Sequence, residues 1–185
     1  MIPTKVRQGI ILIPDFSGFT DFVFNTKIYT GEYIVKQLLT VLIDANQRYF
    51  YISEIEGDAI LFYKYHKKPS YENVWNILQT MSEAFNEKLR ELEVKFSTKI
   101  EMSLKFIVHY GSFSKYRIKD FDKLYGKPII EAHQMLKNNV ANYSSYILMS
   151  NSFLKATKNS KIIGIKENYL SEIGMLFYLD KSNKK

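Results

Sequence analysis

The 185-residue sequence contains no cysteine, which removes disulfide bridges, thiolate-bound zinc and cysteine nucleophiles in one step. Histidine is also scarce, and His66, His109 and His133 are too scattered along the chain to make a metal motif by themselves. No stretch is long and apolar enough to span a bilayer. The apolar run after Lys5 and Arg7 is shorter than the core of a signal peptide and meets Asp15 at once. These absences predict a cytoplasmic protein with no membrane partner. Internal repeats, linkers and low-complexity segments are lacking too, which predicts one domain over residues 1–180 and a short disordered tail over 181–185.

What is present is 46% hydrophobic and 15% aromatic, enough to bury one substantial core. The formal net charge is +7, from 26 basic and 19 acidic side chains. Such an excess suits nucleic acid, an anionic membrane surface or a phosphorylated ligand. The lysines are spread widely, however, and cluster only at Lys64–Lys68 and in the tail Lys181–Lys185, so no nucleic-acid partner is expected.

Two stretches bring carboxylates to unusual places. In the first, Ile10–Ile13 read as a strand buried on both faces, Pro14 ends its ladder, and Asp15 follows where a helix begins. Ser17, Gly18 and Thr20 then supply small residues and the free backbone N–H groups of a helix start, a cradle for phosphate. In the second, residues 49–63 read as two strands folded back at Glu56-Gly57-Asp58, with Gly57 able to take a positive φ. If that hairpin lies beside the first strand, Asp15 and Asp58 meet. Two carboxylates that close repel and raise one pKa unless a cation lies between them, so the pair predicts a divalent metal. The alternative is that Asp15 caps a helix and Asp58 is a turn acid.

Between and after these stretches the pattern predicts a short helix over Phe16–Thr26 and a break at Gly31. A longer helix follows, with Ile34, Leu38, Leu39, Leu42 and Ile43 on its inner face and Asn46 at its end. Ser70 is an N-cap for a helix through about Leu92. Ile100–Tyr110 reads as a central strand with Tyr116–Ile118 as its return partner, and Ile129–Val140 as a helix with Ala132, Met135 and Leu136 inward. Tyr146–Met149, Ile162–Ile165 and Met175–Leu179 read as peripheral strands around a small helix near Phe153. The order predicts an α+β sandwich, a mostly antiparallel sheet covered by helices on one face.

Four motifs in this order resemble those of the class III adenylate and guanylate cyclases. Asp15-Phe16-Ser17-Gly18-Phe19-Thr20 resembles their first metal motif and Gly57-Asp58-Ala59 their second. Phe106–Gly111, with His109, is similar to the strand they write as a hydrophobic run, His, any residue, Gly. Tyr125-Gly126 followed by Ile129, Ile130 and Ala132 resembles the start of their late catalytic helix. The resemblance covers residues 8–140 and suggests a divergent bacterial branch. It implies a ferredoxin-like cyclase-type core that binds a nucleoside triphosphate through two Mg²⁺ or Mn²⁺ ions and, if active, forms a 3′,5′-cyclic nucleotide and pyrophosphate. It further implies that Asp15, Asp58 and the Phe16 carbonyl hold the metals, and that Ser17, Gly18, Phe19 and Thr20 cradle the phosphates. Such sites lie between two subunits, so a homodimer or heterodimer is implied.

Base recognition would fall to Glu54, where guanylate cyclases place a carboxylate, and to Lys123, where the family places an aspartate or a cysteine-like residue. Glu54 and Lys123 are also able to pair with one another across a subunit boundary. The late helix departs from the pattern: the ribose-orienting asparagine and the phosphate-stabilising arginine are replaced by Ile130 and Gln134. His133, Lys137 and Arg117 lie near enough in sequence to substitute, or serve an ordinary surface role. The departures admit an alternative, a catalytically degenerate nucleotide-binding or dimerisation module, or the metal-donating half of a heterodimer.

Overall fold

The computed structural model describes residues 5–137, 144–158, 168–170 and 174–178. The expected strand at Ile162–Ile165 and the tail Lys181–Lys185 lie outside the described residues. Within them the elements run β1 (Arg7–Ser17), α1 (Phe19–Asn25), α2 (Ile28–Ala45), β2 (Tyr51–Glu56), β3 (Ala59–Tyr65) and α3 (Tyr71–Phe96). They continue with β4 (Ser103–Ile118), β5 (Phe121–Tyr125), α4 (Lys127–Leu136), β6 (Tyr146–Ser150), α5 (Asn151–Ala156), β7 (Asn168–Leu170) and β8 (Gly174–Tyr178). The sheet order is β2-β3-β1-β4-β6-β8-β7, with β5 paired to β4. Only β4 and β6 run parallel, so the sheet is mostly antiparallel, as expected.

Strand β1 organises the sheet because its apolar residues alternate between two cores. Ile10, Leu12 and Phe16 face α2, α3 and α5, together with Leu38, Val74, Phe85 and Phe153. Ile11 and Ile13 face the other way, against Ala132, Ile129 and Met135 of α4. The long helices therefore cover one face, and α4 alone is laid on the opposite one. The α2 stripe buries Ile34, Leu38 and Leu42 and closes at Asn46. The α3 N-cap is Ser70, whose hydroxyl accepts from the Asn73 N–H at 3.3 Å.

Several boundaries differ from the sequence expectation. Pro14 does not end the ladder, and β1 stays paired with β4 as far as Ser17↔Ser103. The even-numbered residues of β1 turn their polar groups to β3, as the Gln8 carbonyl shows by accepting from His66. That pairing has ended at Leu12, so the N–H that Pro14 lacks costs no ladder bond. The first helix starts only at Phe19, and Gly31 lies inside α2 instead of breaking it. Tyr116–Ile118 continues β4, and the return partner is β5, reached through Lys119 at φ 52°. Finally β6 is interior, between β4 and β8, and all five of its residues are buried.

Candidate functional site

The register of β1 against β3, Gly9↔Tyr65 through Leu12↔Phe62, extrapolates to Phe16 opposite Asp58. The β2–β3 turn thus delivers Asp58 beside Asp15, with Gly57 at φ 59° making that turn possible. Asp15, Phe16, Ser17, Gly18, Phe19, Thr20 and Asp58 all line one open cleft of about 470 Å³, together with Asp21 and Lys105. Gly18 is required there: its φ is +84°, and a Cβ would come within 2.2 Å of the Glu101 carbonyl.

Asp15 is 9% exposed. It lies inside β1 opposite Lys105, not at the strand's last residue, and the Lys105 Nζ sits 2.8 Å from its Oδ1. Among the described residues Asp58 has no such ion-pair partner of its own. Burial first, and then the negative charge of Asp15, push its carboxyl up to about 6, while hydrogen bonding from the Asp58 and Phe16 backbone and the charge of Lys105 only partly oppose this. The mutual repulsion anticipated from the two acids is therefore present, and one ammonium group partly offsets it.

Lys105 and Asp21 were missed in the sequence. The signal for Lys105 was a single cation within the apolar run Leu104–Val108, where a strand buried on both faces has no ordinary use for one. Asp21 stands in the first turn of α1, where its charge favours the same backbone amides that a phosphate would. Ser17 is partly committed, since its hydroxyl donates to the Ser144 carbonyl at 2.7 Å.

Glu54 and Lys123 are brought together within one chain, not across a subunit boundary: the Lys123 ammonium donates to the Glu54 carboxylate between β2 and β5. Exposed apolar side chains stand on and beside these elements: Ile55 on β2, Phe121 and Tyr125 on β5, Tyr116 on β4 and Ile130 on α4. Ile130 is 61% exposed and Gln134 is exposed, and neither offers a charge. The Arg117 Nε donates to the Lys119 carbonyl at 3.0 Å in the β4–β5 turn. The His109–Gly111 motif seats α4. His109 is buried, with Nε2 3.0 Å from Glu131 of α4, and a Cβ on Gly111 would meet Pro128 at 2.4 Å.

Among the described residues no group of three or more His, Cys, Asp or Glu side chains could hold a metal. Two carboxylates and a backbone carbonyl nonetheless fit Mg²⁺, which is commonly held by one or two carboxylates and completes its shell with water and phosphate oxygens. The Lys105 ammonium holds Asp15 Oδ1, so a metal on that oxygen has to displace it.

The fold is that of class III nucleotidyl cyclase catalytic domains. The chain superposes on the guanylyl cyclase Cya2 with TM-score 0.69 and 14% identity, over 98% of each chain. For the adenylyl cyclase CyaB from P. aeruginosa the values are 0.70 and 13%, over 99% of this chain and 98% of that one. A class III adenylyl cyclase-like ATP-binding protein from Pseudomonas aeruginosa gives 0.66 and 14%, over 83% of this chain and 35% of that one. At these identities the likeness establishes the fold. In sequence the chain belongs to the family described as "Protein of unknown function (DUF2652)", whose model matches residues 35–146. No curated protein matches it in sequence.

Proposed function

We propose that this cyclase-fold domain binds a nucleoside triphosphate through two divalent cations, Mg²⁺ or Mn²⁺, held by Asp15, Asp58 and the Phe16 carbonyl. The observation that carries this reading is the convergence of the two acids in one cleft, with the Asp58 carboxyl raised to about 6. Lys105 offsets only part of the repulsion between the two acids, which leaves the pair short of positive charge. Two such ions stabilise the attacking and leaving oxygens of a phosphoryl displacement. Ser17 to Thr20 form the wall for the phosphates. Once other cations neutralise Asp15, Lys105 is free to turn its ammonium to a phosphate oxygen.

The Glu54–Lys123 pair offers one acceptor and one donor side by side. That combination complements N6–H and N1 of adenine as well as N1–H and O6 of guanine, so it selects a purine edge without choosing between the two. Turnover to a 3′,5′-cyclic nucleotide and pyrophosphate needs charge stabilisation that Ile130 and Gln134 do not supply. Loss of a single oxyanion donor costs about 10² to 10³ in rate, so the chain alone works as a nucleotide-binding module, and a dimer partner bringing the missing groups would restore catalysis. Exposed Tyr125, Phe121 and Ile130 give such a partner apolar area to cover. The test is a thermal-shift panel of nucleoside triphosphates with and without Mn²⁺, alongside an assay for cyclic product. Stabilisation that needs both nucleotide and metal supports the reading; a melting temperature indifferent to both removes it.

A further inference from the structure

The sheet end opposite the carboxylate cleft carries a second charged feature. There β1 begins at Arg7 and β3 ends at Tyr65, directly opposite Gly9, while Arg7 and Gln8 lie opposite Phe113 and Ser112 of β4, which runs on past them to Ile118. The result is an open cleft of about 570 Å³ whose lining includes Lys5, Arg7, Gln8, His66, Lys67 and Ser112, and no carboxylate. Its size suits a small organic ligand.

The groups there are held as donors. Tyr110 Oη donates toward the carbonyls of His66 and Lys67 at 3.1 and 3.0 Å, which fixes the segment and occupies its acceptors. The Lys68 N–H donates to His66 Nδ1 at 3.2 Å, so the neutral ring carries its proton on Nε2, as a donor. The Arg7 guanidinium lies 3.8 Å over the Tyr65 ring, which holds it in place by a cation–π contact. Five lysines of the described residues pair with acids, among them Lys88 with Glu91, Lys99 with Glu101 and Lys115 with Asp122. Among the described residues Lys5, Arg7 and Lys67 have no such partner.

We propose that this cleft binds a small phosphate-bearing anion, recognised by Arg7, Lys5 and Lys67 with donors from His66 and Ser112. Eight residues of strand separate Arg7 from Asp15, about 26 Å at 3.3 Å per residue, so the site is distinct from the carboxylate cleft and stands whether or not nucleotide binds there. Free phosphoesters and lipid headgroups share this chemistry, and a soluble phosphate probe set against anionic vesicles distinguishes the two sources.

The probe is pyrophosphate, added to the full ¹⁵N-labelled chain after metal has been stripped on a chelating resin. Saturable shifts are expected at the amides of Arg7, Gln8, His66, Lys67 and Ser112. Arg7→Gln combined with Lys67→Gln should weaken binding about tenfold or more, since both contacts are charge-assisted. Both side chains are exposed, so the variant folds, and unchanged spectra away from the cleft confirm it. Shifts confined to Ser17–Thr20, equal affinity in the double variant, no saturation, or binding only to phosphatidylglycerol vesicles would each overturn the proposal.

Discussion

Asp58→Asn should stabilise the metal-free protein at neutral pH. The wild-type carboxyl is raised from 3.8 to about 6 in the folded state, so the folded chain holds its proton over a range where the unfolded chain has released it. The stabilisation from protonated Asp58 is fully present below the unfolded value of 3.8 and is lost as pH rises through about 6. A shift of this size corresponds to about 3 kcal/mol at about 1.36 kcal/mol per unit. Because the side chain is only half-buried, solvent screening reduces this to about 1.5 kcal/mol. Asparagine is neutral at every pH, suits the turn and keeps an oxygen to accept from the backbone. For a domain of this size the gain is about 3 to 6 °C in Tm. Differential scanning calorimetry in chelator should show the variant melting higher at pH 7.5 and the gap closing between pH 6 and 4. Saturating Mn²⁺ should reverse the order, because only the wild type keeps both carboxylates for the ions. A variant that melts lower in chelator at pH 7.5, or a gap that ignores pH, would refute the electrostatic reasoning.

Other outcomes follow from the same geometry. Apparent Mn²⁺ affinity should fall about tenfold between pH 7 and pH 5, because binding must displace one proton from a group titrating near 6; isothermal titration at both pH values measures it. Lys105→Met should raise metal affinity, by removing the ammonium that competes at Asp15, while weakening the affinity for nucleotide in the presence of metal. Gly111→Ala should destabilise by about 1 to 3 kcal/mol in urea, because its Cβ drives into Pro128 and lifts α4 from β4. Glu54→Gln should change stability by less than about 1 kcal/mol, since its pair with Lys123 is only partly buried and solvent screens it.

Much of this was readable from residue pattern. The 3.6-residue stripe of α2, the Ser70 cap and the positive-φ turn at Gly57 are local, and local rules place them. The pairing of Asp15 with Asp58 was legible because Gly57 fixes the hairpin tip and an apolar run fixes the strand beside it. What escaped notice depends on neighbours. Pro14 looked like a terminator because its tolerance rests on the β1–β3 pairing stopping two residues earlier, a tertiary fact. Gly31 looked like a break because its place inside α2 depends on how that helix packs. Lys105 lies 90 residues (105 − 15) from Asp15 in sequence and meets it only through the β1–β4 register. The β4–β5 return was misplaced because Lys119, not a glycine, takes the positive φ at that turn.

Counting bound Mn²⁺ by electron paramagnetic resonance, with a non-hydrolysable nucleoside triphosphate present, tests the central reading most directly. Two ions per chain in the wild type, with loss of tight binding in both Asp15→Asn and Asp58→Asn, is the expected result. Ions that bind equally well without either carboxylate, or that do not bind at all, would contradict it.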